Sequence, residues 1–365
     1  MRLLICAGGT GGGVYPALTV LKAISKEADA ILWVGGKKGI ESELVRREGV
    51  PFEAIPAAGI HGVGLRSLPG NILRLLRGTF ASFKIIKQFK PDVLFFTGGY
   101  VAIPMALAGW SIPSVLFVPD IEPGLALKVL TRFAHTIALT TEASRAYFPP
   151  GKHLQVTGYP VRPDLAQWTR ENARAKLGLH PDIATLLFFG GSLGARSINR
   201  AVIQQLPDLL QRAQVIHITG NLDWEEVETA RINLPAALMA RYHTFAYLHE
   251  DMGAALASAN LVVSRAGAST LGEFPFFGLP AILIPYPYAW RYQKVNASYL
   301  QEQEGAILLQ DDLIVDQLIP LVCSLLDTPQ KLEQMHQKML SMRRPQAADE
   351  IARLIVAATP SGGNV

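Results

Sequence analysis

The stretch RLLICAGGTGGG, Arg2–Gly13, determines the fold of this chain more than any other. Leu3–Ala7 is an uninterrupted apolar run, which predicts a strand covered by helices on both faces. Gly8–Gly13 follows this run directly, and a helical pattern that contains Pro16 comes next in the sequence. Glycine-rich turns between a buried strand and a helix commonly bind an anion or a diphosphate with their backbone N–H groups. A tight strand-to-helix turn without a ligand would give the same pattern.

A second stretch of the same kind, TLLFFGGSLGA at Thr185–Ala195, opens the other half of the chain. Short apolar runs alternate with helical patterns in both halves, which predicts α/β domains with parallel sheets. We therefore predict two Rossmann-like domains, residues 1–158 and 159–342, with a linker near Gly158–Pro163. A last helix and tail, residues 343–365, are expected to pack back on the first domain. The predicted strands are Leu3–Ala7, Ala30–Val34, Val93–Phe96, Ser114–Val118, Thr136–Leu139, Thr185–Phe189, Val215–Thr219, Leu261–Val263 and Ala281–Ile284.

Composition and charge argue against several classes of protein. The formal net charge is +4 and the pI about 9.0, whereas a dedicated nucleic-acid binder shows a dense basic stripe. Cys6 and Cys323 are too few for a disulfide framework or a metal cluster, and Cys6 lies within a strand-like run that predicts plain packing. Met1 and Arg2 lead into that strand, and no apolar run of about 18 residues follows. We expect a cytoplasmic protein without metal or cofactor, in solution or at a membrane surface.

Neither glycine turn fits a dinucleotide site or a P-loop. The GxGxxG spacing is missing from both turns. The second strand of each half ends in Val34-Gly35-Gly36 or Thr219-Gly220-Asn221, without the acid that would bind a ribose. The pattern GxxxxGK[ST] is also missing. An NAD-dependent enzyme and a P-loop NTPase are therefore both disfavoured.

The segment SRAGASTLGE, Ser264–Glu273, carries a sharper signal. It follows a predicted strand, and Gly267 allows a turn from which Ala268 to Thr270 would begin a helix. The N–H groups of such a start would face a diphosphate. Glu273 falls on the first helical turn, where it would accept hydrogen bonds from ribose hydroxyls. An acid in that position is equally compatible with a partner for the helix dipole only.

The stretch Asn71–Lys87 predicts a basic amphipathic helix. Such a helix can lie on an anionic lipid surface, but an ordinary helix whose apolar face covers a core gives the same pattern. The apolar positions are Ile72, Leu73, Leu76, Phe80 and Phe83, and the basic ones are Arg74, Arg77, Lys84 and Lys87.

Taken together, these segments resemble the MurG family of bacterial N-acetylglucosaminyltransferases, within glycosyltransferase family 28. The resemblance runs over nearly the whole chain, and the order of the motifs makes it specific. They are AGGTGGGVYPAL (Ala7–Leu18), GLR (Gly64–Arg66), TGGYVAIP (Thr97–Pro104), TGYPVR (Thr157–Arg162), GGSLGARSIN (Gly190–Asn199), SRAGASTLGE, GLPAILIPYP (Gly278–Pro287), Gln293, and Asn296 with Ala297.

The resemblance implies an α/β fold of the GT-B type, in which two Rossmann-like domains with parallel sheets face each other across a cleft. It implies metal-independent, inverting transfer of GlcNAc from UDP-GlcNAc to the C4 hydroxyl of MurNAc in lipid I, giving lipid II for peptidoglycan and cell-wall synthesis. The implied partners are UDP-GlcNAc, lipid I and an anionic membrane surface, with no nucleic acid. The implied location is the cytoplasmic face of the cell membrane, and the lipid-linked acceptor favours Asn71–Lys87 as the peripheral membrane contact.

The resemblance also implies roles for individual residues. In the second domain Arg162 and Ser192 would contact the nucleotide, His249 the uracil, and Gln293 the sugar hydroxyls. The full set of implied donor-binding residues is Thr10, Gly11, Gly12, Arg162, Ser192, His249, Ala268, Ser269, Thr270, Leu271, Gly272, Glu273 and Gln293. The implied acceptor-binding residues are Gly9, Gly13, Tyr100 and Asp120.

The chain departs from the family pattern beside the acceptor. Gly13 stands where family members usually carry His, Phe117-Val118-Pro119-Asp120 replaces an HEQN stretch, and Tyr292 replaces an acid or His before Gln293. Asp120 is then our candidate base, although an Asp there also fits a cap of a helix starting near Pro123. His61 is a second candidate, although a His in such a loop also fits plain exposure.

These departures leave three functions open. The chain is a working but divergent family member, a paralogue that glycosylates another lipid or small acceptor from a UDP-sugar, or a UDP-sugar-binding homologue without turnover.

Overall fold

The structure, a computed structural model, describes residues 1–8, 11–36, 41–58, 68–191, 194–248, 250–287 and 292–360. The chain forms two compact units. The first contains Met1–Arg162 and the chain from Arg344 onward, and the second is Pro163–Arg343. Each unit is built on its own parallel sheet with helices on both faces, so the predicted α/β class is confirmed.

The first unit has a seven-stranded sheet in the order β3-β2-β1-β4-β5-β6-β7. Neighbouring strands are all parallel. Side chains of the inner strands are completely buried, as their uninterrupted apolar sequences require. The strands are β1 (Arg2–Ala7), β2 (Ala30–Gly36), β3 (Phe52–Ile55), β4 (Val93–Gly98), β5 (Ser114–Val118), β6 (Thr136–Leu139) and β7 (His153–Val156).

The helices of the first unit connect these strands in parallel crossovers, except for the last helix of the chain, which returns to this unit from the second one. They are α1 (Gly11–Ile24), α2 (Glu41–Arg47), α3 (Leu68–Phe89), α4 (Ala102–Ala108), α5 (Leu125–Leu130), a short 3₁₀ helix (Glu142–Tyr147) and the last helix of the chain, α16 (Ala347–Ala358).

The second unit has a six-stranded sheet in the order β10-β9-β8-β11-β12-β13, again parallel throughout. Its strands are β8 (Thr185–Phe189), β9 (Gln214–Ile218), β10 (Tyr242–Phe245), β11 (Leu261–Ser264), β12 (Ala281–Leu283) and β13 (Ala306–Leu308). Its helices are α6 (Arg170–Leu177), α7 (Arg196–Gln204), α8 (Leu206–Arg212), α9 (Trp224–Ile232), α10 (Ala236–Met239), α11 (Met252–Ser258), α12 (Thr270–Phe277), α13 (Tyr292–Glu302), α14 (Ile314–Leu326) and α15 (Pro329–Ser341), with 3₁₀ helices at Pro163–Gln167 and Asp311–Leu313.

All nine predicted strands are present, and four further strands were missed. The missed strands, β3, β7, β10 and β13, are the edge strands of the two sheets. An edge strand is covered less completely, and the sequences of β3, β7 and β10 accordingly mix polar and apolar residues. Strand β13 is apolar but only three residues long. In β3 only Ile55 is buried, and in β7 exposed and half-buried side chains alternate.

Helix α3 leaves five of its apolar side chains exposed. Gly78, Ser82 and Ile85 form its buried face. The predicted apolar positions are exposed instead, with Leu76 at 53% and Phe80 at 75%. Helix α3 does cover the core, but it does so through Ile85 with Ala81, Ile86 and Phe89, and not through the predicted apolar positions. None of the helices in the described ranges has the length and apolar character that a membrane span needs.

The two ends of the chain meet on the first unit. The hydroxyl of Thr359 donates a hydrogen bond to Sδ of Met1 at 3.2 Å. At the passage between the units, a Cβ on Gly158 would lie 2.5 Å from Cβ of Arg344, so the outgoing and returning segments are also in contact. Gly158 has φ +91°, a conformation that favours glycine.

Candidate active site

The first glycine turn is held at the carboxyl edge of the first sheet. Gly8 follows β1, and Gly11, Gly12 and Gly13 form the first turn of α1, where N–H groups have no partner within a helix. The hydroxyl of Thr97, at the end of β4, donates to the carbonyl oxygen of Gly13 at 2.7 Å. A bond from the neighbouring strand thus fixes the start of α1.

The turn after β4 packs directly against the end of β1. Gly99 has φ +84°, and a Cβ there would lie 2.3 Å from the carbonyl oxygen of Gly8. Only glycine fits this approach. Tyr100, the next residue, is 40% exposed. The TGGY segment therefore brings an exposed aromatic side chain to the same edge of the sheet as the first glycine turn.

A buried carboxylate, Glu41, lies beneath the first glycine turn, and the sequence analysis did not identify it. Glu41 is 1% exposed, and its Oε1 accepts a hydrogen bond from the N–H of Gly36 at 2.8 Å. A Cβ on Gly8 would lie 2.4 Å from that oxygen, and a Cβ on Gly35 would lie 2.8 Å from Cγ of Glu41. Two glycines at the ends of β1 and β2 thus make room for one carboxylate. The helical position of Glu41 after Gly35-Gly36 was the sequence signal.

Asp120 does not occupy the N-cap position of the helix that follows it. This residue follows β5 and is half-buried. Helix α5 begins at Leu125, and its N-cap is Gly124. Glu122, two residues after Asp120, is buried and accepts a hydrogen bond from Nζ of Lys128 at 3.0 Å. The second carboxylate of this segment is therefore neutralised by a helix lysine, which fixes the path of the chain after Asp120.

The second glycine turn, at the end of β8, is anchored to the neighbouring strand. Gly194 has φ +79°, and a Cβ there would lie 2.2 Å from the carbonyl oxygen of Thr219. The side-chain amide of Asn199 donates to that same oxygen at 2.8 Å and to Oδ2 of Asp223 at 2.9 Å. Oδ1 of Asp223 in turn accepts from Nε of Arg196 at 2.8 Å.

The hydrogen bonds that anchor the second glycine turn continue from Asn199 to a buried histidine, His217. Nε2 of His217 lies 2.9 Å from Oδ1 of Asn199, and Nδ1 lies 2.7 Å from the hydroxyl of Tyr242. Because Asn199 Oδ1 only accepts, Nε2 carries the proton and Nδ1 accepts from Tyr242. Complete burial lowers the pKa of His217 from 6.5 to about 3, with a smaller opposing effect from Asp223. His217 is therefore a neutral part of the scaffold.

The SRAGASTLGE segment forms the turn between β11 and α12. Thr270 donates both its N–H, at 3.0 Å, and its hydroxyl, at 2.7 Å, to the carbonyl oxygen of Gly267. The internal hydrogen bonds of the turn thus begin at Thr270, whereas the sequence analysis had assigned its N–H to a ligand. Ala268 and Ser269 precede this point. Glu273 lies in the first turn of α12 and is half-buried.

Helix α13 contacts this turn through Asn296 and the segment after β12 through Gln293. Nδ2 of the buried Asn296 donates to the carbonyl oxygen of Ala266 at 3.2 Å. Oε1 of Gln293 accepts a hydrogen bond from the N–H of Tyr286 at 2.8 Å. The NH₂ group at the other side of the same amide is a hydrogen-bond donor. The structure therefore ties α13 to the turn after β11 through Asn296 and to the segment after β12 through Gln293.

Several predicted site residues lie outside the described ranges: Gly9, Thr10, His61, Ser192 and His249. Arg162 is described, half-buried, as the last residue of the first unit before the crossing. Leu271 and Gly272 are buried within the first turn of α12. Across the described ranges, no group of three or more His, Cys, Asp or Glu residues is arranged to hold a metal ion.

Comparisons with known proteins agree with this architecture. Residues 3–139 match the sequence profile of the glycosyltransferase family 28 N-terminal domain, and residues 185–351 match that of the family's C-terminal domain. Among solved structures, that of Acinetobacter baumannii MurG superposes with a TM-score of 0.77 at 26% identity, covering 98% of this chain and 99% of that one. UDP-GlcNAc 2-epimerase from Neisseria meningitidis gives 0.66 at 12% identity, which shows the fold alone.

Relatives of similar length carry one common name, UDP-N-acetylglucosamine–N-acetylmuramyl-(pentapeptide) pyrophosphoryl-undecaprenol N-acetylglucosamine transferase. The protein from Roseiflexus sp. (strain RS-1) is 36% identical, over 97% of this chain and 94% of its own length. That from Desulfitobacterium hafniense (strain DSM 10664 / DCB-2) is 39% identical, over 97% and 98%. The chain therefore belongs to glycosyltransferase family 28 and, within it, to the MurG family of N-acetylglucosamine transferases.

Proposed function

We propose that this protein transfers N-acetylglucosamine from UDP-N-acetylglucosamine to the C4 hydroxyl of the N-acetylmuramyl residue of lipid I, with inversion and without a metal ion. The product is lipid II, a precursor of peptidoglycan. The observation that carries the proposal is the turn Ser264–Glu273, which lies at the carboxyl end of a central strand and is tied to the helix of Gln293. The shared name of relatives 34–39% identical over nearly the whole chain supports the same activity.

The donor is assigned to the second unit. In this proposal the N–H groups of Ala268 and Ser269 face the diphosphate, because the internal bonds of the turn begin only at the next residue. Glu273 accepts from the ribose hydroxyls, and the NH₂ group of Gln293 donates to the sugar. Arg162, Ser192 and His249 complete the nucleotide site by family resemblance.

The acceptor is assigned to the first unit, where the glycine turn faces its diphosphate. During transfer the acceptor O–H gives its proton to a base, and its oxygen forms a bond to C1 of the sugar. The bond between C1 and the diphosphate oxygen breaks, and UDP leaves with the electron pair. Asp120 is assigned as the base, since it follows β5 at the carboxyl edge of the sheet and is half-buried there. Fixed N–H donors in the second unit stabilise the charge that develops on the leaving diphosphate.

We further propose that the protein works at the cytoplasmic face of the cell membrane, bound through α3. The exposed apolar side chains of this helix are flanked by exposed arginines and lysines. Such a face suits an anionic lipid surface, where the acceptor's prenyl chain resides.

A second function is favoured by one observation. Gly13, Asp120 and Glu122 occupy the acceptor edge without the family's His and HEQN groups. A UDP-sugar transferase for another lipid or small acceptor would keep the donor turn and change this edge. A binding homologue without turnover would keep the donor turn alone.

The deciding experiment is a transfer assay with the full chain, UDP-GlcNAc and a lipid I analogue, run with EDTA and with UDP-Glc and UDP-Gal as competitors. Formation of the disaccharide product in EDTA, with little competition from the other two sugars, is the expected result. UDP-sugar consumption without transfer to lipid I would replace the lipid II assignment by the paralogue. Nucleotide binding without consumption would leave the binding homologue.

A further inference from the structure

Arg265 joins four segments around the donor turn. It follows β11 directly, and its side chain is only 10% exposed. Nη1 donates to the carbonyl oxygen of Ile284 at 3.1 Å, just past β12, and lies 2.5 Å from Oδ1 of Asp311. Nη2 lies 2.8 Å from the hydroxyl oxygen of Ser197, in the first turn of α7. The guanidinium therefore uses both ends of its planar fork.

The partners of Arg265 are also bound to one another. The hydroxyl of Ser197 donates to Oδ1 of Asp311 at 2.8 Å, so the oxygen of Ser197 accepts from Arg265 while its proton goes to Asp311. The ring of Tyr286 lies against the guanidinium, with 5.4 Å between Cζ and the ring centroid. A cation, an anion, a hydroxyl and an aromatic ring thus form one closed cluster.

Three of the segments in this cluster lead to groups assigned to the donor. Ser197 is in the helix that follows the second glycine turn. Tyr286 is the residue whose N–H fixes Oε1 of Gln293. Ala266–Ser269, directly after Arg265, is the diphosphate turn, held from the other side by Asn296. A displacement of the guanidinium would move the diphosphate turn and the sugar-facing amide relative to each other.

We propose that Arg265 is a positioning residue for the sugar-diphosphate part of the donor, acting through the diphosphate turn and through Tyr286 on Gln293. This inference rests on the proposed function, because it takes the second unit as the UDP-sugar site. Lysine cannot replace it, since a single ammonium group cannot reach Ser197, Asp311 and the carbonyl of Ile284 in one plane. The Arg265→Lys substitution keeps the positive charge but loses the planar arrangement of hydrogen-bond donors.

The same unit offers a matched control, Arg174. This guanidinium is 8% exposed, and it donates to the carbonyl oxygen of Ser258 at 3.2 Å and to Oδ1 of Asn260 at 2.7 Å. Asn260 precedes β11, whereas Arg265 follows it. Both arginines are thus largely removed from solvent, and they lie at opposite ends of one strand. Loss of Arg174 tests the effect of removing a buried arginine without touching the donor edge.

The test measures the affinity of the full-length wild type, Arg265→Lys and Arg174→Lys for UMP, UDP and UDP-GlcNAc by calorimetry, with thermal unfolding in parallel. For Arg265→Lys we expect UMP affinity within twofold of wild type and UDP-GlcNAc affinity at least tenfold weaker. Arg174→Lys should lower the melting temperature and leave all three affinities unchanged. Ser197→Ala should also weaken UDP-GlcNAc binding, but by a smaller factor than Arg265→Lys.

Three results would overturn the proposal. Equal weakening of all three nucleotides in Arg265→Lys, in step with a lower melting temperature, would make the residue merely structural. Unchanged UDP-GlcNAc affinity in Arg265→Lys, with wild type binding normally, would reject the positioning role and keep the proposed function. A wild type that binds none of the three nucleotides would reject the donor site itself.

Discussion

The hydroxyl of Thr97 donates to the carbonyl oxygen of Gly13 at 2.7 Å, and this bond fastens the first turn of α1 to the end of β4. It holds the turn at the position where the family usually carries His. A Cβ on Gly13 would lie 3.3 Å from the carbonyl oxygen of Thr97, a close approach. The Thr97 backbone and side chain therefore limit what residue 13 can be.

Replacing Thr97 by Val should weaken the first unit. The substitution keeps the shape of the side chain and removes the donor, so the free energy of unfolding should fall by about 1 kcal/mol. Urea denaturation measures this change. Thr97→Ser, which keeps the hydroxyl, is the control and should lose less; equal losses in both variants would mean that methyl packing, and not the hydrogen bond, holds the turn.

Replacing Asp120 by Asn should slow transfer by about 10²–10⁴-fold, the usual effect of removing a general base. UDP affinity should stay unchanged, because Asp120 belongs to the first unit. Steady-state transfer to the lipid I analogue and calorimetry with UDP measure the two effects. Glu122→Gln is the control for charge in the same segment. An Asp120→Asn enzyme as fast as wild type would move the search for the base to His61.

Replacing Glu273 by Ala should weaken UDP binding by about 1–3 kcal/mol, the range for a hydrogen bond to a charged group. Glu225, an exposed acid in the first turn of α9, provides the control for a helix-dipole effect. Glu225→Ala should leave UDP affinity unchanged in calorimetry. If Glu273→Ala behaves like Glu225→Ala, the carboxylate of Glu273 serves its helix and not the ribose.

The double substitution Leu76→Ser with Phe80→Ser should lower binding to phosphatidylglycerol vesicles by about tenfold or more, since burial of each apolar side chain contributes roughly 1.5–3 kcal/mol. Co-sedimentation at low salt measures this effect, and added salt should weaken wild-type binding further. Leu222 and Ile232, 75% and 65% exposed on the second unit, give a matched control pair. Equal binding by both double variants and the wild type would exclude α3 as the membrane contact.

His217 should make the second unit sensitive to acid. Its pKa is about 3 in the folded protein and 6.5 when unfolded. Between these pH values the unfolded state binds more protons than the folded state. The contribution of neutral His217 to stability is therefore fully present above pH 6.5 and is lost as the pH falls toward 3. The slope should approach about 1.4 kcal/mol per pH unit.

Urea denaturation at several pH values compares wild type with His217→Gln, which cannot titrate. The variant should be less stable at neutral pH but should show a shallower loss of stability below pH 6.5. An identical slope in the two proteins would assign the acid sensitivity to other groups.

Local sequence patterns predicted the central strands of the sheets well, because a strand that is buried on both faces has an uninterrupted apolar sequence. Leu3–Ala7 is apolar throughout since helices cover both faces of β1. The edge strands β3 and β7 lack that coverage, and nothing in their composition separates them from loops. The strand pattern therefore predicts the centre of a sheet better than its edges.

The candidate site was predictable only where one contiguous motif forms it. SRAGASTLGE lies in one turn, and its place after a strand follows from the sequence. Arg265, by contrast, meets Ser197 and Asp311 across separations of 68 and 46 residues. Glu41 similarly reaches Gly8 only because β1 and β2 are neighbours in the sheet. Such contacts depend on topology, so residue types alone do not reveal them.

Met1 and Thr359, which lie far apart in sequence, are in contact within the first unit. The second unit is therefore an insertion between two parts of the first. Pro163–Arg343 enters and leaves the first unit through touching segments, at Gly158 and Arg344. The unit to which we assign the nucleotide sugar is thus encoded by one continuous segment of the gene. Under that assignment, exchanging the segment between relatives would change the donor, while the described residues of the first unit, including α16, would stay in place.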